Sequence, residues 1–141
     1  MIEGALIFDA VRTARGRPDH KGALHGVSPM DLLRPLYEAI MERSGFSKDA
    51  FDDVVLGCVT QVGEQGTNIA RLSALCAGLS DSVSGMTLNR FCTSGLDAVQ
   101  LGAMKVVAGS DSLVLAGGVE SSSRVPMFSD DGATVLRPGP D

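Results

Sequence analysis

Nowhere in the 141 residues does an apolar run approach the roughly 18 uninterrupted residues that a membrane-crossing helix needs. Glu3 and Asp9 break the first hydrophobic stretch, so no opening segment has the make-up of a secretory signal. There is no block of Lys or Arg either, and the formal charge is −5. The densest basic run, RTARGRPDHK (12–21), is interrupted by Asp19 and broken by Gly and Pro; it reads as a solvated loop, with a phosphate contact as the lesser alternative. A nucleic-acid partner and an anionic membrane surface are therefore not expected. Cysteine is scarce as well. Cys58, Cys76 and Cys92 are an odd count, spaced to form neither a disulfide framework nor a CxxC metal pair. Reduced thiols in a cytoplasmic protein are the simplest account.

What is present is an ordinary globular composition, 44% hydrophobic and 21% charged, in a chain long enough for one domain with a real core. Seventeen glycines exceed the usual share and fall at element junctions rather than in a tract, which points to tight strand–helix turns.

The hydrophobic period alternates along the chain. GALIFDAV (4–11) reads as a buried strand, followed by a polar loop through Gly26. SPMDLLRPLYEAIMERSG (28–45) opens as a helix, with Ser28 as N-cap, Pro29 at the first helical position and Asp31 near the positive end of the dipole. Leu32, Leu33, Leu36, Ile40 and Met41 keep one face apolar. Pro35 predicts a kink or a delayed start, and Gly45 ends the helix. Residues 51–61, with Val54, Val55 and Leu56 in succession, read as a strand covered on both faces. A loop, a short helix over 68–79 capped by Asn68, a strand over 85–91, a helix over 92–110 and a strand over 112–118 complete the series. This β-α-β-α-β-α-β order predicts an α/β fold with a mainly parallel sheet and helices on its faces. The last twenty or so residues carry no periodicity.

Cys92 stands at the junction of the third strand and the third helix. In parallel α/β sheets, functional groups gather where strands end and helices begin. The unpaired N–H groups and positive dipole end of a helix favour a thiolate over a thiol, and the same N–H groups can hold an oxyanion. The helix behind it carries only Asp97 and Lys105 as charges, and Gly95, Ala98, Gly102 and Ala103 recur at helical spacing, so it is expected to be buried on most sides. Position alone leaves inert packing open for Cys92, because free cysteine is among the most buried residue types. Cys58, inside a strand, and Cys76, in an apolar helix, read as core packing. His20 and His25 fall in the early polar loop and read as surface residues.

LNRFCTSGLDAV (88–99) and AGGVESSSRVPM (116–127), after the opening DAVRTARGR (9–17), resemble the N-terminal half of a thiolase, an acetyl-CoA acetyltransferase or 3-ketoacyl-CoA thiolase. The likeness runs over nearly the whole chain. It implies a layered fold with a mainly parallel mixed sheet, of which this chain holds one incomplete half: a domain over 1–121 and the start of an inserted loop region over 122–141. It also implies that Cys92 is the nucleophile acylated by an acyl-CoA. Asn89, Arg90 and Phe91 match the strand leading to it, and Gly117 to Ser121 match the strand and loop behind the site. For Asn89 and Arg90, substrate contact and plain strand alternation stay open, while Glu120 and Ser121 read as structural. Ala14 departs from the family, which often has proline there; this bears on loop stiffness, not chemistry. No cofactor or metal is implied, coenzyme A thioesters being substrates, and a homodimer or homotetramer is.

The family pattern also carries a histidine in a Gly-His-Pro segment, a second cysteine in a Cys-x-Gly segment and an asparagine in an Asn-Glu-Ala-Phe segment. None occurs after residue 92. The chain is thus expected to be an N-terminal fragment that does not turn over alone, since an activated nucleophile depends on its base. A related condensing enzyme of the β-ketoacyl synthase type and a non-catalytic thiolase-like domain binding lipid or a partner are the alternatives. NRFCTSG argues against the first and a thiol at the helix start against the second. A cysteine protease is weaker still, lacking a plausible histidine after the cysteine.

Overall fold

A computed structural model of the chain describes residues 4–131. Its centre is β1 (Asp53–Gly57), a strand buried at every position, with Val54 and Val55 wholly out of solvent. Consecutive β-branched residues suit a strand covered on both faces. β2 (Ser84–Leu88) and β3 (Val114–Gly118) flank it in the order β2-β1-β3, both parallel to it, with Val55 opposite Met86 on one side and Ala116 on the other.

The two crossovers run in opposite directions. α2 (Ile69–Cys76) carries the chain from β1 out to β2, and α3 (Ser94–Val107) carries it back across β1 to β3. Right-handed crossovers of opposite sense put their helices on opposite faces. Side-chain alternation agrees. Val54 and Leu56 join Ile69, Ala70 and Ala74 of α2 in the main cluster, whereas Asp53 meets Lys105 of α3 and Gly57 lies beneath Ser94. Two further carboxylates pin this end of the sheet, the one opposite the strands' carboxyl ends. Asp111 pairs with Lys105 at 2.7 Å, and Asp52 accepts the N–H groups of Ser112 and Leu113, which hold its acid below the usual carboxylate range.

α1 (Pro29–Ser44) packs against α2 through Leu33 and Tyr37, whose hydroxyl lies 2.9 Å from Ser73 Oγ. Its ends are those the sequence predicts. Ser28 Oγ accepts from Asp31 N–H, and Gly45, left-handed at φ 73°, donates to Met41 O. Pro35 does not delay the helix. It is exposed, as is Asp31, four residues back, so the carbonyl that loses its partner faces water. The inward face differs in one respect: Tyr37 is buried at its centre, and Leu32 and Leu36 are only half-buried.

Five expectations need correcting. Residues 4–11 form no strand. Both edges of β1 are occupied by β2 and β3, and Leu6 and Ile7 are 72% and 81% exposed. The segment is tethered instead by Phe8, edge-on to Phe46 at 5.3 Å, and by an Asp9–Arg43 ion pair. The third helix begins at Ser94 rather than at Cys92. It buries only Ser94, Ala98 and Gly102, because the sheet covers one of its faces; Leu96, Met104 and Val107 are exposed. Cys76 is exposed too: it is the last residue of α2 and stands at the margin of the inward face formed by Ile69, Ala70, Ser73 and Ala74, where the packing against the sheet has ended. Gly63–Gln65, within the predicted loop after β1, forms one turn of 3₁₀-helix. Beyond β3 the chain turns at Ser121, whose carbonyl accepts from Arg124 and Val125. Of the loop region expected over 122–141, residues 132–141 lie outside the described residues.

Candidate active site

The connections leaving β1 and β2 depart to opposite faces of the sheet, and a crevice opens between such strands at their carboxyl ends. Here it is a cleft of about 670 Å³, lined by Gly57–Thr60 after β1, by Asn89 and Phe91–Cys92 with Ser94 and Gly95 after β2, and by Gly118–Glu120 after β3. Met127 and Phe128, with Asp130 and Asp131, line it from the segment that follows.

The floor is backbone packed on backbone. A Cβ on Gly57 would fall onto the Ser94 carbonyl carbon and Gly95 nitrogen, and one on Gly118 would lie 2.9 Å from Gly57 O and 3.3 Å from Gly95 Cα. Of the glycine pair after residue 116, only Gly118 is needed for close approach; a Cβ on Gly117 would meet nothing nearer than Leu56 Cδ2 at 3.9 Å. The first turn of α3 is thus seated directly on the sheet, which fixes its N-terminus.

Cys92 stands immediately before that turn, exposed. The chain reaches it by a sharp bend. Phe91 is left-handed at φ 50°, a region that bulky residues rarely enter. Asn89 Oδ1 accepts from Phe91 N–H at 2.8 Å, and Ser94 Oγ accepts from Arg90 N–H at 2.7 Å while donating to Phe91 O at 2.6 Å. Arg90 pairs with Asp97 at 2.8 Å and lies outside the cleft lining. Thr93, at the N-cap, makes no side-chain capping bond; the N–H groups of Thr93 and Ser94 donate to Arg90 O and Phe91 O, which leaves Gly95 and Leu96 to carry the uncapped N–H groups of the first turn.

Glu120 is a tie as well as a lining residue. Its carboxylate accepts from Val59 N–H at 2.7 Å, Gln65 Nε2 at 2.8 Å and Thr60 N–H at 3.4 Å. Gln65, fully buried, also donates to Thr60 O and accepts from Ser121 N–H. Arg124 donates Nε and Nη2 to the Glu64 carboxylate and Nη1 to His25 O at 2.8 Å. Glu120 and Ser121 thus hold structure, as the sequence suggests. Gln65 and Arg124 carry no signal in the sequence, because contacts spanning 56 and 60 residues leave no local period.

The other candidates stand apart from Cys92. Cys58 lies just past β1 and is 1% exposed; burial, with the Glu120 carboxylate adding to it, pushes its thiol up to about 12. Cys76-Ala77-Gly78 does satisfy the bare Cys-x-Gly pattern, but Cys76 ends α2 and does not line the cleft. Neither histidine lines it. Among the described residues, no helix is long and apolar enough to cross a membrane.

Residues 5–137 match the family model described as thiolase, N-terminal domain. The chain is 48% identical over 123 residues to a β-ketoadipyl-CoA thiolase of Escherichia coli, an alignment covering 86% of this chain and 30% of that protein. It is 41% identical over 125 residues to a steroid 3-ketoacyl-CoA thiolase of Mycobacterium tuberculosis, covering 89% and 30%. The fold superposes on the crystal structure of the Bacillus anthracis acetyl-CoA acetyltransferase with a TM-score of 0.70 at 39% identity, covering 74% of this chain and 26% of that one. The chain therefore spans about a third or less of the length of the relatives it matches. With a cysteine set before a helix on a parallel three-stranded sheet and a family match over nearly its whole length, this chain belongs to the thiolase family, in whose N-terminal domain the match lies.

Proposed function

We propose that this chain supplies the nucleophile half of an acyl-CoA C-acyltransferase site, with Cys92 forming the acyl-thioester. The observation that carries the reading is the exposed cysteine at the bend before α3, lining the cleft at the N-terminal end of that helix. The Cys92 thiolate attacks the thioester carbonyl of an acyl-CoA. A carbon–sulfur bond forms, the bond to the coenzyme A sulfur breaks, and the departing thiolate takes up a proton. The acyl group then passes to a second acyl-CoA, giving a 3-ketoacyl-CoA, or in the degradative direction to coenzyme A. No metal or cofactor enters the scheme. The relatives' names bring 3-ketoacyl-CoA thioesters to this chain as the substrate class, and a cytoplasmic location goes with that chemistry.

Incubating the chain with acetyl-CoA and mapping it by mass spectrometry tests the assignment. Acetyl should appear on the Cys92 peptide, slowly and once per chain, and not after Cys92→Ser. Acetylation of Cys76 at the same rate would sink the reading.

Self-association belongs to the same proposal. α3 presents Leu96, Met104 and Val107 to solvent, and β2 has no strand on its outer edge among the described residues. A second copy of the chain would cover these surfaces, in line with the dimer or tetramer that the resemblance implies. Light scattering at micromolar concentration should return at least a dimer; a monodisperse monomer would count against it.

A further inference from the structure

We propose that Asn89 is a positioning residue for Cys92, acting through the left-handed turn at Phe91 and through a strut that joins the three loops of the cleft; the proposal rests on the reading of Cys92 as nucleophile. Both ends of the Asn89 amide are engaged. Its Oδ1 accepts from Phe91 N–H at 2.8 Å, and its Nδ2 donates to Val59 O at 3.0 Å. Val59 in turn donates its N–H to Glu120 Oε2 at 2.7 Å, and Glu120 is held by buried Gln65. One residue of the β1 loop is therefore gripped from both sides, by the β2 loop and by the β3 loop.

The short Asn side chain is suited to this. An Asx side chain bonds the backbone two residues on and stabilises a turn. That is the contact made here: it anchors the peptide plane entering Phe91, while Ser94 Oγ, donating to Phe91 O, anchors the plane leaving it, so the φ of 50° between the two is held against the preference of the Phe91 side chain. Without the amide, Phe91 relaxes toward the extended or right-handed regions and Cys92 swings away from the N-terminus of α3. Neither of its hydrogen bonds is to Cys92. It sets where the sulfur stands.

The three cysteines provide the assay. Cys92 reports the site, exposed Cys76 is the reference thiol, and Cys58, buried in the cleft wall, reports loosening of the fold. The chain is treated with iodoacetamide near neutral pH and the labelled peptides are timed. In the unsubstituted chain Cys92 should react ahead of Cys76, with Cys58 unlabelled; if it does not, the nucleophile reading fails and this proposal with it. Asn89→Ala should lower the Cys92-to-Cys76 rate ratio about fivefold, the upper end of the effect a helix terminus exerts on an exposed neighbouring charge. Cys58 should stay unlabelled. An unchanged ratio, with Cys92 still reacting first, overturns the positioning role and leaves the nucleophile standing. Labelling of Cys58 would mean that the amide holds the fold rather than the sulfur, and overturns it equally. Phe91→Gly added to Asn89→Ala supplies a residue that enters the left-handed region without penalty, and should restore the ratio to within about twofold. Failure to recover would show that the turn is not the route.

Discussion

Gly57→Ala is expected to destabilise the chain by about 3 kcal/mol, the upper part of the range for overpacking, and to lower its melting temperature by roughly 10 °C. The reason lies in what the added methyl would meet. Its neighbours are the Ser94 carbonyl and the Gly95 nitrogen, main-chain atoms that no rotamer change can move. Either β1 or the first turn of α3 must shift. Gly95→Ala is the control, since a Cβ there meets nothing within 4 Å. A glycine in a helix is destabilising by roughly 0.5–1 kcal/mol relative to alanine, so this variant should be neutral or slightly more stable. Thermal unfolding followed by circular dichroism separates the two. A loss below about 1 kcal/mol at Gly57 would mean that helix and sheet are not in the backbone contact described.

The second large effect concerns turnover. In an enzyme of full family length carrying this N-terminal region, Cys92→Ser should reduce thiolysis of acetoacetyl-CoA by roughly 10³-fold or more, because a serine hydroxyl is scarcely ionised near neutral pH and members of a nucleophile–base unit fail together. Residues 1–141 alone should show no measurable thiolysis. They contain no Gly-His-Pro segment, both histidines lie outside the cleft lining, and the one Cys-x-Gly cysteine sits at the end of α2. A coupled assay for acetyl-CoA release checks both statements. Steady turnover by the 141 residues would show that the chemistry does not depend on the groups they lack, and full activity after Cys92→Ser would remove Cys92 from it.

The parts of this fold that could be read in advance are those whose causes are local. Ser28, Asp31 and Gly45 bracket α1 because capping is settled within a few residues. Val54, Val55 and Leu56 mark a strand buried on both faces because no solvent face interrupts the run. The cysteine at the junction after β2 could be placed from the change of period alone. What misled was local pattern without knowledge of the partner. GALIFDAV has the composition of a covered strand, yet among the described residues no strand pairs with it. α3 carries only Asp97 and Lys105 as charges, which predicts burial on most sides, yet one sheet covers one face. Phe91 is a residue type that argues against a left-handed turn; the turn depends on an amide two residues earlier and on Ser94 three residues later. The Gln65–Glu120–Val59 contacts join segments about sixty residues apart. Nothing in either segment's own pattern reports them.

The glycine floor at Gly57, Gly95 and Gly118 also bears on how such a site can diverge. Main-chain atoms are the same whatever the residue, and a side chain added at Gly57 or Gly118 would force the layers apart. Substitution there has no graded setting, so this layer cannot record a change of substrate. Variation has to be written in the walls, where Val59, Phe91, Val119, Met127 and Phe128 project from loops that tolerate exchange. A scaffold divided in this way keeps the sulfur's seat constant while the space above it is free to drift, and new acyl preferences can be acquired one wall residue at a time.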